Sequence, residues 1–405
     1  MSSKERIILF LLAAVNFTHI LDFMIMMPLG NYLMPHFHIS PRQFSFLLAS
    51  YPISSFISGL TMAVLADKFE RKKLLLFTYA GFIIGTAACG FAQSYELLLV
   101  ARIVAGIFGG IIGGQVLSMI GDLFSYERRG TAMGAVMSAF AVASSVGVTF
   151  SLYLVDIFKD DWHVPFLFVA LLALVIWPLC FIHLPLLKEH LVKKENAPSK
   201  GQQLWSTLTD KYTGLALLFS GVMMMGHFLI IPFINPYMEF NKGYPRSVTP
   251  LIYLVGGVAS FIAAIFLGRL SDRVGKLKVF MYCVPLSFVM VLLITNMPAL
   301  PFSIVLSFFG IWFALATGRA VTSQTMVSNV TGAANRGSFM SLNSSIQHLG
   351  TGVAALVSGY IVSEDAQRKL LHYEWVGYLS VAVLLIGLLL GYYLFKGVDA
   401  GKKEL

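Results

Sequence analysis

Asp22 lies in the middle of a long apolar run, with Asn16 and His19 preceding it at steps of three. That spacing puts the three side chains near one face of a helix. A carboxyl group in such surroundings carries a proton if a cation can approach it and withdraw. Two arginines sit in other apolar runs, Arg102 and Arg319. Arg102 is the cation expected to work with Asp22 in proton coupling. Arg319 is placed either to clamp an anionic substrate group or to pair with Asp22. His227 is a second proton-coupling candidate, because imidazole titrates near physiological pH. Gln115, Asn235, Gln324, Asn343 and Gln347, with Asn16 and His19, are the uncharged groups available for substrate contacts. Each has a plainer reading: a fixed Asp22–Arg pair that holds helices together, a hydrogen-bonded core histidine, an Arg102 that snorkels to a helix end.

The elements that position these groups follow from composition. Of the 405 residues, 57% are hydrophobic and only 12% are charged, with a mean hydropathy of +0.77. The apolar residues fall in long runs such as Leu74–Phe91, Pro165–Leu187 and Gly377–Phe395. About 20 residues at ~1.5 Å rise cross a bilayer core of ~30 Å. Inside lipid only helices and closed barrels satisfy the backbone, and the short alternating strands of a barrel are absent. The breaks predict twelve spans at roughly 7–30, 43–66, 74–93, 97–121, 131–155, 164–187, 212–235, 249–270, 279–297, 301–325, 338–362 and 375–396. The first run is too long for a signal-peptide core and should stay as span 1.

The net charge of +9 is explained by topology rather than by a nucleic-acid partner. Loops containing Arg71–Lys73, Arg128–Arg129, Lys193–Lys194 and Arg273–Lys278 fall on one side, against few cations on the other. Such a bias predicts both termini in the cytoplasm. Cys89, Cys180 and Cys283 lie inside the spans and suggest no disulfide framework or metal site. No nucleophile elbow, metal-spaced cluster or nucleotide-binding loop is present, so neither an enzyme nor an ATP-driven pump is expected, and no cofactor or metal.

The polar segment Lys188–Lys211 divides six spans from six. Residues 1–187 are therefore expected to form one six-helix bundle, 188–211 a cytoplasmic linker and 212–405 a second bundle. The halves match at a nearly constant offset of about 204 to 207 residues: Asp67–Arg71 with Asp272–Lys276, Arg129–Gly130 with Arg336–Gly337, and Met26–Leu29 with Ile230–Phe233. The same match places His227 one position from the counterpart of Asp22. A duplicated bundle of this kind brings its binding site to the repeat interface near the midplane.

Residues Gly268, Leu270, Asp272, Arg273, Gly275 and Lys276 carry the loop signature of the major facilitator superfamily, which the chain resembles over its whole length. The first-half copy reads Ala63, Leu65, Asp67, Lys68, Glu70 and Arg71, with both glycines replaced. Span 4 carries Arg102-Ile-Val-Ala-Gly106, similar to the Arg-x-x-x-Gly motif of the drug:proton antiporter branch. Gly147-Val-Thr149 and Trp162–Phe168 resemble the sugar-efflux-like members of that branch. The Gly-Pro of the antiporter pattern in span 5 is absent; Ser145–Thr149 stands there.

The resemblance implies an all-α membrane protein of twelve transmembrane helices in two pseudo-symmetric six-helix bundles. It implies a conformational latch built on Asp67, Arg71, Asp272, Arg273 and Lys276. The expected function is proton-coupled efflux of a small organic molecule by alternating access, by a monomer in a bacterial-type inner membrane. The alternatives are a proton-linked importer or facilitator, and a sensor or scaffold that keeps the fold without turnover.

Overall fold

In hydrocarbon every backbone polar group must find its partner within the chain, so apolar runs of this length have only the helix open to them. The computed structural model describes residues 3–65, 68–124, 132–134, 136, 139–140, 142–187, 208–331 and 336–397. Ten helical stretches among the described residues are long and apolar enough to cross a membrane. The segment ending in Ala143–Ile157 and the helix Arg336–Ile361 take the places of spans 5 and 11. The exposed faces of the spanning helices carry large apolar residues, among them Ile84, Leu171, Ile182, Ile262 and Phe266. In water such faces would drive aggregation; in lipid they are solvated.

The helices fall into two units. One gathers residues within Met1–Met26 and Ser50–Ser206, the other residues within Met27–Ala49 and Thr207–Leu405. The first unit holds α1 (Ser3–Ile25), most of α3 (Pro41–Leu65), α4 (Arg71–Gly90), α5 (Tyr95–Leu123), α6 (Val148–Ile157) and α7 (His163–His183). Here α4 packs on α5 and α7, and α1 packs on α7. The approach of α5 to α3 is close because Gly110 has no side chain: a Cβ there would stand 2.5 Å from Ser55 Cα. Ser55 Oγ donates to Gly106 O at 2.9 Å across the same contact.

The second unit holds α2 (Gly30–Phe37), the start of α3, α8 (Lys211–Phe228), α9 (Pro250–Val274), α10 (Lys276–Asn296), α11 (Phe302–Ser328), α12 (Arg336–Ile361) and α13 (Tyr373–Phe395). It repeats the packing of the first: α10 lies on α11 and α13, and α8 on α13. A two-stranded antiparallel hairpin, β1 (Ser363–Glu364) and β2 (Leu370–Leu371), joins α12 to α13. Asn241 clamps it with both ends of its amide, donating to Leu370 O at 2.8 Å and accepting from Leu370 N at 2.9 Å.

Spans 1 and 7 are not continuous helices. Each is interrupted by a 3-10 turn at its proline, Met27–Leu29 around Pro28 and Ile231–Phe233 around Pro232. Proline removes one helical donor and its ring pushes away the preceding turn, freeing carbonyls that must be satisfied elsewhere. In span 7 the Tyr373 hydroxyl donates to Ile230 O at 2.7 Å and Ser380 Oγ to Gly226 O at 2.6 Å. Asn235 Nδ2 donates to Pro28 O at 3.0 Å.

Candidate functional site

Arg102 of α5 and Arg319 of α11 are both deeply buried, one in each unit. In the first unit α1 brings Asp22 against Arg102 of α5, and Nη1 donates to Oδ2 at 2.8 Å. Neither side chain is exposed. The same Nη1 also reaches Asp22 O at 3.3 Å. Arg102 is thus held deep in the unit and does not snorkel. Its guanidinium lies over the Tyr51 ring at 4.6 Å and the Phe166 ring at 5.9 Å. Thr86 and Cys89 line the pair. Among the described residues, Asp22 Oδ1 and Arg102 Nε and Nη2 have no hydrogen-bond partner. The pair is therefore held by one strong charge-assisted bond, not by the bidentate fork that arginine and carboxylate can form.

The neighbours on α1 are partnered more conventionally. His19 Nδ1 meets the Tyr51 hydroxyl at 3.3 Å and Asn16 Nδ2 donates to Val136 O at 3.2 Å. Gln115 is buried on α5 with its Oε1 unpartnered among the described residues. The step-of-three reading thus places Asn16, His19 and Asp22 in one buried row, and Tyr51 links its middle member to Arg102.

In the second unit, α8 brings His227 against Arg319 of α11, and Arg319 Nη2 meets His227 Nδ1 at 2.8 Å. A guanidinium only donates, so Nδ1 accepts and the neutral ring carries its proton on Nε2. The His227 ring packs on the Trp312 indole with centroids 5.1 Å apart. Further along, Gln347 Nε2 donates to Gln324 Oε1 at 3.2 Å. Asn343 is buried with both amide atoms unpartnered among the described residues. Asn235 is committed to Pro28 O, its own Oδ1 remaining unpartnered.

The expected latch divides. Asp67 lies outside the described residues. Arg71 Nε pairs with Asp122 Oδ2 at 3.1 Å, tying the start of α4 to the end of α5. Lys276 Nζ pairs with Asp272 Oδ1 at 3.3 Å across the break between α9 and α10, and Arg273 is exposed. Gly275 sits at φ 112°, a conformation that favours glycine. Glu70, in the corresponding place, does not imitate it. It adopts φ −65° and caps α4, accepting from Lys72 N at 3.0 Å and Lys73 N at 2.9 Å, and it also accepts from Leu187 N at 2.8 Å. Burial alone would raise its carboxyl; these backbone donors and the Lys72 charge outweigh that and hold it below its usual value near 4.5.

The sequence does not disclose the contacts of four further charged residues. Asp122 and Glu70 are the acids that organise the loop between spans 2 and 3. Glu239 and Arg246 form a second polar junction: Arg246 Nε donates to both Glu239 oxygens at 2.9 Å, and its Nη2 reaches Asn31 O at 3.3 Å. Asn31 Nδ2 donates to Glu239 Oε2, and Arg246 lies over the Tyr32 ring at 4.6 Å. The one available signal was a charge at the end of an apolar run, which also marks an ordinary span boundary.

The comparisons with known proteins agree with this architecture. The family model of the Major Facilitator Superfamily matches residues 12–257 and 216–405. The uncharacterized MFS-type transporter YceJ of Bacillus subtilis (strain 168) is 21% identical over 347 residues, covering 84% of this chain and 85% of the relative. Multidrug resistance protein 3 of the same organism is 31% identical over 121 residues, 30% of this chain and 23% of the relative. A crystal structure of a variant of the nucleoside transporter NupG superposes with a TM-score of 0.75 at 12% identity, covering 96% of this chain and all of that one, which speaks to the fold alone. With the helices, the repeated packing and the family match in agreement, the chain belongs to the Major Facilitator Superfamily and is a multi-pass membrane transporter.

Proposed function

We propose that the chain is a proton-coupled exporter of a small organic molecule, working by alternating access in a bacterial-type inner membrane with both termini in the cytoplasm. The observation that carries this reading is the Asp22–Arg102 pair. A charge near the bilayer centre costs ~3 kcal/mol or more on insertion scales, so an acid kept there is expected to have a task. Asp22 is ionised while Arg102 holds it. When rocking of the bundles draws the guanidinium away, the carboxylate takes a proton from whichever side it faces; the return of Arg102 expels that proton on the other. The single hydrogen bond between them suits a contact that must break in each cycle.

The energetics suffice with one such site. A proton driving force of ~150 mV is worth ~3.5 kcal/mol per charge. That sustains a gradient of roughly 300-fold for one proton per neutral solute. The similarity of one segment to a multidrug resistance protein supports export, and the arginine motif of span 4 supports the drug:proton antiporter branch. Import through the same acid is the alternative direction. Proteoliposomes with an acidic lumen separate the two: an antiporter accumulates solute inside, and a proton symporter drives it out. No pH-driven movement in either direction would refute proton coupling.

The junction of Asn31, Glu239 and Arg246 takes part in this reading as an extracytoplasmic latch. It joins the end of span 1 to the end of span 7 and the loop after it, and it must part when the path on that side opens. Arg71–Asp122, by contrast, ties α4 to α5 within the first unit.

A further inference from the structure

The two arginine sites differ in one respect, and it bears on what is carried. Arg102 has a carboxylate. Arg319 meets a neutral imidazole instead, and among the described residues no acid pairs with it. The described acids of its unit are otherwise placed: Glu239 holds Arg246, Asp272 holds Lys276, Asp210 and Glu374 stand at helix starts, and Glu364 and Asp365 belong to the hairpin. Arg319 is nevertheless 2% exposed. A cation removed from water so completely needs a counter-charge.

The surroundings of Arg319 supply hydrogen-bond donors and lack acceptors. Arg319 Nη1 has no partner among the described residues, and neither does Trp312 Nε1. Both belong to α11, seven residues apart and so near one helical face. Both side chains meet His227, whose acceptor nitrogen is already taken by Arg319 and whose remaining nitrogen carries a proton. His227 as a whole residue is half-buried, unlike Arg319 and Trp312. Arg319 Nη1, which carries positive charge, and Trp312 Nε1 thus both belong to side chains that meet the His227 ring, and neither has an acceptor among the described residues.

We infer that the group formed by Arg319, His227 and Trp312 seats the anionic head of the transported solute, a carboxylate or a phosphate monoester on a small organic molecule. This rests on the transporter reading and narrows it to organic anions. The solute's oxygens would accept from Arg319 Nη1 and from the His227 and Trp312 ring N–H groups. Its apolar or hydroxylated remainder would make the contacts that set identity.

The test is ligand-induced thermal stabilisation of the purified full chain at fixed ionic strength, with matched pairs: benzoate and benzamide, gluconate and glucose, glucose 6-phosphate and glucose. At least one anion should stabilise the protein where its neutral partner does not. Arg319→Gln should abolish the shift, and Arg319→Lys should retain it at a half-saturating concentration at least about tenfold higher, as expected for loss of a charge-assisted bond. If Arg319→Gln does not fold, Arg319→Lys and Trp312→Phe carry the test, each giving a smaller anion-induced shift measured from its own unliganded melting temperature. Phosphatidylglycerol added to the micelles is the lipid control, and it should not displace the soluble anion. Equal response to both members of every pair, undiminished anion binding in Arg319→Gln, or stabilisation by the lipid alone would each overturn the inference. Proton-driven transport of a neutral or cationic solute without anion preference would sink the anionic class and leave the transporter standing. Anion binding with no exchange of any solute would do the reverse.

Discussion

Arg102 of α5 meets Asp22 of α1 at 2.8 Å, with both side chains wholly buried and only one of the two carboxylate oxygens engaged. Removing one member of such a pair leaves the other charge without compensation, typically at a cost of 3–5 kcal/mol. Arg102→Gln should therefore lower stability markedly. Asp22→Asn combined with Arg102→Gln should recover part of the loss, because the double variant buries no lone charge. A double-mutant cycle by chemical denaturation in detergent measures this; strictly additive losses would mean that the two side chains do not depend on each other.

Glu70 gives a prediction with a defined pH sign. Its carboxyl is held below its usual value near 4.5, as three backbone N–H groups and Lys72 outweigh the opposing effect of burial. The stabilisation it supplies is therefore complete above about that usual value and is lost as the pH falls through the lowered one. Glu70→Gln should reduce the melting temperature at pH 7, and the gap to the parent protein should narrow as the pH is taken below 4. A gap independent of pH would show that the ionised carboxylate is not what the three donors require.

Glu239 offers a conformational test. Glu239→Gln removes the charge that holds Arg246 and weakens the acceptor of Asn31, so the extracytoplasmic junction should open more often. Ser45 is buried near Gly359, on the α3 end of the same unit. Labelling of Ser45→Cys by a membrane-impermeant maleimide should be several-fold faster when Glu239→Gln is also present. The native cysteines Cys89, Cys180 and Cys283 are buried and give a low background. An unchanged labelling rate would remove Glu239 from the latch.

Packing between α8 and α12 depends on Gly350. A Cβ at that position would stand 2.3 Å from Gly221 O, so Gly350→Ala must push two backbones apart. Overpacking of this kind typically costs ~1–3 kcal/mol. The melting temperature of Gly350→Ala should fall accordingly, while Gly397→Ala, with open space around the added carbon, should leave it unchanged.

Much of the fold was legible because its causes are local. A run of apolar residues long enough to cross lipid has no alternative to the helix, and the charges between runs mark its ends. The duplication was legible for a related reason: Pro28 and Pro232 interrupt spans 1 and 7 in the same way, and proline acts on its own turn. The candidate site was legible by residue type alone. Asp22, Arg102, His227 and Arg319 stand out because ionisable groups are costly in lipid, but nothing in the spacing tells which meets which. Arg319 was a possible partner for Asp22 on paper, and in the structure it faces His227. Glu70 stood out in the sequence only as a residue in place of a loop glycine; its cap on Lys72 and Lys73 is local, but its third donor, Leu187, is brought to it by tertiary packing. Asn31 and Glu239 are 208 residues apart, and only tertiary packing could disclose their contact.

The central claim is that Asp22 carries the proton. It is tested most directly in proteoliposomes by following lumenal pH when a transported solute is added with the membrane potential clamped. The parent protein should move protons against the solute, and Asp22→Asn should move none while still exchanging solute for solute across the membrane. Solute-driven proton movement that persists in Asp22→Asn would contradict the account.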